Sequence, residues 1–255
     1  ERVVLPDLAA RAGEGRAIVS RVLRTAGVGE SRLAERLTPV WEAAGGGQVT
    51  LAYLASAGEV RVRLTAVGAT REEALAEIAP VEAKIREELG EVVYSVDDET
   101  LEASVGRLLR DRDRTLATAE SLTGGQLGGR VTAVAGASDY YLGGVVAYAT
   151  EAKTALLGVG KDLLTAEGPV SEPVAAAMAE GARRGFGADL GLATTGVAGP
   201  AEQGGQRVGT LCLAVADAAG TATSTLRAPG DRAQVRAWAV TVALDLLRRR
   251  LEGVA

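Results

Sequence analysis

The chain has 255 residues, 47% apolar and only 3% aromatic, with a formal net charge of -5. That length holds one large domain or two ordinary ones, and the acidic balance argues against a generic nucleic-acid binder. There is no histidine and a single cysteine, which excludes a Ser-His-Asp triad, histidine-ligated metal, an internal disulfide and a multi-cysteine zinc site.

Glu1-Arg2-Val3-Val4-Leu5-Pro6 carries no sustained apolar core, so no secretory signal is expected. No apolar run is long enough to span a bilayer, so no membrane partner is expected either. With no disulfide pair the cytoplasm is the expected compartment. Beginning at Glu1 rather than Met, the chain reads as processed or as a piece of something longer.

Residues 15–96 alternate short strands and helices. Ala17 to Leu23 reads as a strand. Gly29-Glu30-Ser31 starts a short helix to about Leu37, with Ser31 as its cap. Val49 to Ala55 and Glu59 to Val67 read as strands, the second alternating Val60, Val62 and Leu64 with Arg61, Arg63 and Thr65. Thr70, with Glu73 at the third position, opens a helix that Gly90 ends near Leu89. Glu91 to Val96 returns as a strand. This βαββαβ order predicts a small two-layer α+β domain over 1–97. Asp97-Asp98-Glu99-Thr100 then marks a boundary.

Residues 98–255 predict a three-layer α/β/α domain. Its helices are expected at Leu101–Leu109, Gly124–Val134, Glu151–Leu157, Glu172–Phe186 and Asp231–Leu251. Its strands are expected at Thr115–Ala119, Gly144–Tyr148 and Asp189–Thr195, with a hairpin from Val208–Asp217 and Thr221–Arg227 over Ala218-Ala219-Gly220. Cys212 lies in the apolar run Leu211–Val215 and reads as a buried structural thiol.

The chemistry-bearing motifs fall in this second half. Thr118-Ala119-Glu120-Ser121-Leu122-Thr123-Gly124-Gly125 places a serine between a strand and a helix start. Lys153 is one of three lysines against 25 arginines. A desolvated Lys gives up its proton and Arg does not, so a Ser121 nucleophile with a Lys153 base is the first hypothesis. The strand–helix junction offers free N–H groups from Thr123 to Gly125 to an oxyanion or a phosphate. The plainer alternative makes Ser121 or Thr123 an N-cap and the glycines a packing device. Glu120 either pairs with Lys153 or is a structural carboxylate. Lys153, five residues after Tyr148, is expected at a helix start, where the dipole favours its neutral form. Thr194-Thr195-Gly196-Val197-Ala198-Gly199-Pro200 ends a strand, where open α/β sheets gather ligands; an ordinary Gly/Pro turn is the alternative. Asp231 caps the last helix, and Arg232 or Arg236 could hold a phosphate or carboxylate, with a solvated surface arginine favoured for Arg236.

The blocks TAESLTGG, GGVVAYATEAK, VSEPVAAAMAEGAR, ATTGVAGP, VGTLCLAVA and APGDR, in that order, resemble the C-terminal domain of the CinA family over about 100–255. That domain is also found alone as nicotinamide mononucleotide deamidase. Many relatives carry Cys where this chain has Leu122. Residues 15–96, with the block Leu23 to Ser31, resemble the family's KH-type linker domain. The family's N-terminal domain, similar to molybdopterin-binding proteins, is missing from this sequence.

The resemblance implies hydrolysis of nicotinamide mononucleotide to nicotinic acid mononucleotide and ammonia. It implies Ser121 as nucleophile, Lys153 as base, and Tyr148, the Thr195-Gly196 loop and Arg232 around the substrate. Glu120, Thr123, Gly124 and Gly125 join the expected substrate site. No metal or redox cofactor is needed, and the family's tendency to pair implies a homodimer. Two other readings stay open. A catalytically latent nucleotide-binding scaffold is one. The other is a KH-type nucleic-acid module, disfavoured because Gly27-Val28-Gly29 and Gly45-Gly46-Gly47 lack the GXXG loop between helices. A spacer fixing dimer geometry fits residues 1–97 better.

Overall fold

The computed structural model describes residues 16–44 and 47–254. The N-terminal segment read for a secretory signal, and Gly45 and Gly46, lie outside the described residues. The chain divides between Asp98 and Glu99 into two units.

The first unit has the expected βαββαβ order: β1 Ala17–Ala26, α1 Glu30–Ala43, β2 Val49–Ser56, β3 Glu59–Gly68, α2 Arg71–Leu89 and β4 Val93–Val96. Its sheet runs β2-β3-β1-β4, antiparallel throughout. Alternation in β3 sends Val60, Val62 and Leu64 into a core with Leu33 and Leu37 of α1 and Ile78 and Ile85 of α2. The Thr70 cap of α2 is present, its Oγ1 accepting from the Glu73 amide at 3.1 Å; the Glu73 carboxylate accepts from the amide of Ala69, one residue before the cap, at 2.9 Å, so the reciprocal half of a capping box is displaced by one residue.

Three expectations are corrected here. The cap of α1 is Gly29, in an extended conformation with no side-chain bond, and Ser31 lies inside the helix. The helix also runs past Leu37 through Pro39, because Val40 and Trp41 extend its apolar stripe, and the Trp41 indole N–H donates to the Val49 carbonyl at 2.6 Å. A 3-10 turn over Gly90–Val92 delays β4 to Val93.

The second unit comprises α3 Leu101–Asp111, β5 Leu116–Glu120, α4 Gln126–Thr132, β6 Tyr141–Val146, α5 Thr150–Leu157, α6 Lys161–Glu167, α7 Glu172–Phe186, β7 Leu190–Gly196, β8 Thr210–Asp217, β9 Gly220–Arg227 and α8 Arg232–Glu252. Its mixed sheet runs β6-β5-β7-β8-β9, with β6, β5 and β7 parallel and the β8–β9 hairpin antiparallel. Helices α5, α6 and α7 pack on one face and α3, α4 and α8 on the other, giving three layers. Strands β5 and β7 are buried along their whole length, as central parallel strands are.

Strand β6 begins three residues before the expected Gly144 and ends at Val146, so Tyr148 lies in the loop beyond it. Gly143, left outside the expected strand, lies within it together with Gly144. A Cβ at Gly144 would run into the Thr118 and Tyr141 hydroxyls, so close strand approach is what the glycine provides. Helix α6, seven residues long, was not expected.

The layer between the sheet and α7 is rich in alanine: Ala117, Ala119, Ala193, Ala214 and Ala216 of the sheet and Ala175, Ala179 and Ala182 of α7 pack in it beside Val174 and Met178. Backbones therefore come close, and a Cβ at Gly191 of β7 would collide with the Ala179 carbonyl of α7. Gly191→Ala is expected to cost about 1–3 kcal/mol of stability by equilibrium urea unfolding. An unchanged unfolding midpoint would contradict that contact.

Candidate active site

Three parallel strands end at one edge of the sheet, and the loops leaving β5, β6 and β7 carry the polar groups singled out in the sequence. Ser121 follows β5. Its amide donates to the Thr194 carbonyl of β7 at 2.9 Å, which fixes the first residue of the turn against the neighbouring strand. Ala147 follows β6, and its amide donates to the Glu120 carbonyl at 2.8 Å. Lys153, on α5, thereby reaches across to Ser121: its Nζ lies 2.8 Å from Ser121 Oγ and 3.2 Å from the Ala147 carbonyl.

Lys153 is 2% exposed and Ser121 9%. Nζ meets a hydroxyl and a carbonyl rather than a carboxylate in these two bonds. Burial without a compensating anion penalises the ammonium form and brings the Lys153 pKa down to about 8. When the amine is neutral the contact reverses, and the Ser121 O–H donates to Nζ. That is the geometry of a hydroxyl nucleophile with its base.

A cavity of about 140 Å³ opens beside this pair. Ser121, Leu122, Lys153, Tyr148, Thr195 to Gly199 and Arg232 line it. Arg232 Nη1 donates to the Gly199 carbonyl at 2.7 Å, and Nη2 donates to the Tyr148 hydroxyl, so one guanidinium ties together two walls of the cavity. Asp231 caps α8 with a complete capping box, as its sequence position suggested. Thr195 lies at the wall, but its hydroxyl donates to the Pro169 carbonyl at 2.8 Å. Thr150, Val170 and Gln203 also line the cavity. Sequence reasoning missed them, and the only signal was that Thr150 opens the lysine-bearing helix.

Four expected substrate contacts, Glu120, Thr123, Gly124 and Gly125, do not line the cavity, and groups of each have partners within the protein. The Glu120 carboxylate is 2% exposed and accepts from the amides of Gly125, Leu127 and Gly128 at 2.8–3.0 Å. It caps α4 from the preceding strand instead of pairing with Lys153 or meeting a ligand. The Gly125 amide is used in that cap. The Gly124 amide donates to the Ser121 carbonyl at 3.1 Å. The Thr123 hydroxyl shares a 2.8 Å bond with Thr194. Gly124 and Gly125, at φ of 57° and 93°, provide a turn that side-chain-bearing residues rarely adopt, so α4 begins only at Gln126.

Arg236 is a further correction. It is half-buried, with Nε donating to the Leu122 carbonyl at 2.9 Å and Nη2 to the Thr123 carbonyl at 2.8 Å. Cys212 is buried as expected. Among the described residues no group of three or more His, Cys, Asp or Glu side chains could hold a metal, and no helix is long and apolar enough to cross a membrane.

A three-layer α/β unit with a buried serine–lysine pair at the carboxyl ends of its parallel strands, joined in sequence to a βαββαβ unit, defines the class. The chain belongs to the CinA family: the CinA C-terminal domain matches residues 98–251, and the damage-inducible protein CinA KH domain matches residues 20–95. It is 52% identical to a CinA-like protein of Frankia casuarinae over 98% of this chain and 58% of that protein. It is 44% identical to a CinA-like protein of Salinibacter ruber over 98% of this chain and 60% of that protein. The chain thus spans less than two thirds of the length of these relatives. Among solved structures, a competence-damaged protein (CinA) superfamily member from Klebsiella pneumoniae is similar. It shares 35% identity at a TM-score of 0.59, covering 60% of this chain and 96% of that one.

Lys153 sets a pH dependence. A lysine whose pKa falls from 10.5 to about 8 on folding is charged in both states well below pH 8, where its burial destabilises. Between about pH 8 and 10.5 the unfolded chain holds the proton and the folded one does not, so stability rises with pH. Lys153→Met is therefore expected to be more stable than the parent at pH 7, by roughly 2–3 kcal/mol. That advantage should shrink towards pH 10.5 in urea unfolding, and an advantage independent of pH would contradict the assignment.

Proposed function

We propose that the second unit is an amidohydrolase converting nicotinamide mononucleotide to nicotinic acid mononucleotide and ammonia, in pyridine nucleotide salvage. The observation that carries this reading is the 2.8 Å contact between Ser121 Oγ and a Lys153 amine whose pKa burial lowers to about 8. The substrate class comes from the CinA membership and the sequence resemblance. The buried serine–lysine pair supplies the chemistry that an amide demands.

In this mechanism neutral Lys153 takes the Ser121 proton as Oγ attacks the carboxamide carbon. The tetrahedral oxyanion collapses, the C–N bond breaks, and Lys153 returns the proton to the leaving nitrogen, which departs as ammonia. Water then attacks the Ser121 ester with Lys153 again as base, the bond between the acyl carbon and Oγ breaks, and Lys153 returns the proton to Oγ as the acid leaves and ionises to the carboxylate. No step calls for a metal or a redox cofactor. Arg232 faces the phosphate: two of its five N–H donors hold Gly199 and Tyr148, and the others remain for an anion. Tyr148, 57% exposed, and the Gly196 loop flank the pyridine ring. The protein acts in the cytoplasm as a homodimer, without nucleic acid or membrane as partner, and the first unit serves as a spacer.

Ammonia release from nicotinamide mononucleotide tests the reading. Ser121→Ala should abolish it. Lys153→Arg should lower it at least about 10³-fold, since Arg keeps the charge but gives up no proton. The parent's rate should rise with pH through about 8 as Lys153 loses its proton. Turnover surviving in Lys153→Arg would remove the lysine from the mechanism, and a folded parent that releases no ammonia would favour a latent scaffold.

A further inference from the structure

The nucleophile turn is held at every backbone group the structure accounts for. The Ser121 amide is bound to Thr194, the Gly124 amide closes onto the Ser121 carbonyl, and the Glu120 carboxylate fixes the start of α4. The Leu122 and Thr123 carbonyls, which follow Ser121 directly, both accept from one side chain more than a hundred residues away, Arg236, the Thr123 carbonyl accepting also from the Gln126 amide at 3.3 Å. We propose that Arg236 is a positioning residue for the nucleophile. Its guanidinium spans two consecutive carbonyls and sets the orientation of the turn that aims Ser121 Oγ at Lys153.

Three observations support this. The two bonds, at 2.9 and 2.8 Å, come from Nε and Nη2, two N–H groups of one rigid plane, so they constrain both peptide planes together. The turn is shaped to receive that plane: a Cβ added at Gly124 would lie 3.3 Å from Arg236 Nη2, on a residue already at positive φ. Finally, Arg236 stands one turn after Arg232 on α8, and Arg232 binds the Tyr148 and Gly199 walls in the same way. The first turns of α8 therefore tie together all three loops that leave the parallel strands. Arg236 is not among the residues lining the cavity, so its action on the reaction runs through Ser121.

The inference rests on Ser121 as nucleophile but not on the identity of the amide, so the test uses a serine-directed fluorophosphonate. Its second-order labelling rate at Ser121 would be measured for the parent, Arg236→Gln and Arg236→Lys, with Ser121→Ala as the unlabelled control. Misplacing a nucleophile by about 1 Å costs on the order of 100-fold. Labelling should slow by about that factor in both variants, without rescue by lysine, which keeps the charge but loses the planar fork. With the amide substrate, kcat should fall while KM holds. Rescue by Arg236→Lys, or a rise in KM alone, would assign Arg236 to anion binding and overturn the proposal. Labelling at the parent rate in Arg236→Gln would overturn it as well. If the parent itself resists the probe, the nucleophile reading fails. Hydrogen exchange over 121–128 then decides the placement of the turn, since unchanged protection in Arg236→Gln would show that Arg236 does not hold it.

Discussion

Keeping the Lys153 amine out of water is the constraint around which the second unit is arranged. A buried ammonium beside a hydroxyl and a carbonyl is costly, and losing its proton is the way it lowers that cost. The same burial that lowers its affinity for a proton makes it able to accept one from Ser121. Stability below pH 8 and reactivity are therefore opposed at this residue, as they are where an ionisable group is tuned for proton transfer.

That contact needs two backbone segments to be brought together and held. Parallel pairing of β5 with β6 and β7 brings the loops to one edge, and a small set of bonds fixes them there. Glu120 and Arg236 act on the same short turn from opposite chemistries. An anion collects the free amides at the start of α4, and a cation collects the carbonyls just before it. Each charge is satisfied by backbone dipoles, which leaves the lysine as the titrating group of the pair beside the cavity.

Much of this was legible in the chain. Apolar alternation and the Thr70–Glu73 pair located the elements of the first unit, and the scarcity of lysine singled out Lys153. The remainder depended on long-range placement. In sequence Glu120 reads either as a partner of Lys153 or as a structural carboxylate; the second holds, but its partners could not be read, because they are amides of a helix that begins only after two glycines have turned the chain. Arg236 reads as a solvated surface charge because nothing local reveals carbonyls more than a hundred residues earlier. The start of β6 was placed at Gly144 rather than Tyr141, because Gly143 and Gly144 give the strand no side-chain alternation to read. The crowding that requires glycine there comes from the Thr118 and Tyr141 hydroxyls and the Phe186 ring. Gln203 and Thr150 had no periodic or compositional signal at all.

The alanine-lined layer beneath the cavity has a consequence of its own. Alanine has no side-chain rotamers to lose, so ordering α7 against β5, β7 and β8 carries little side-chain entropy cost. For the same reason the layer has few side-chain torsions through which to accommodate a displaced strand. A shift of β5 relative to β7 must be taken up by the backbone as a whole, so the two strands bear Ser121 and Thr194 as parts of one stiff plate. Tyr148 and Arg232, bound to each other, stand outside that plate, in the loop after β6 and at the start of α8.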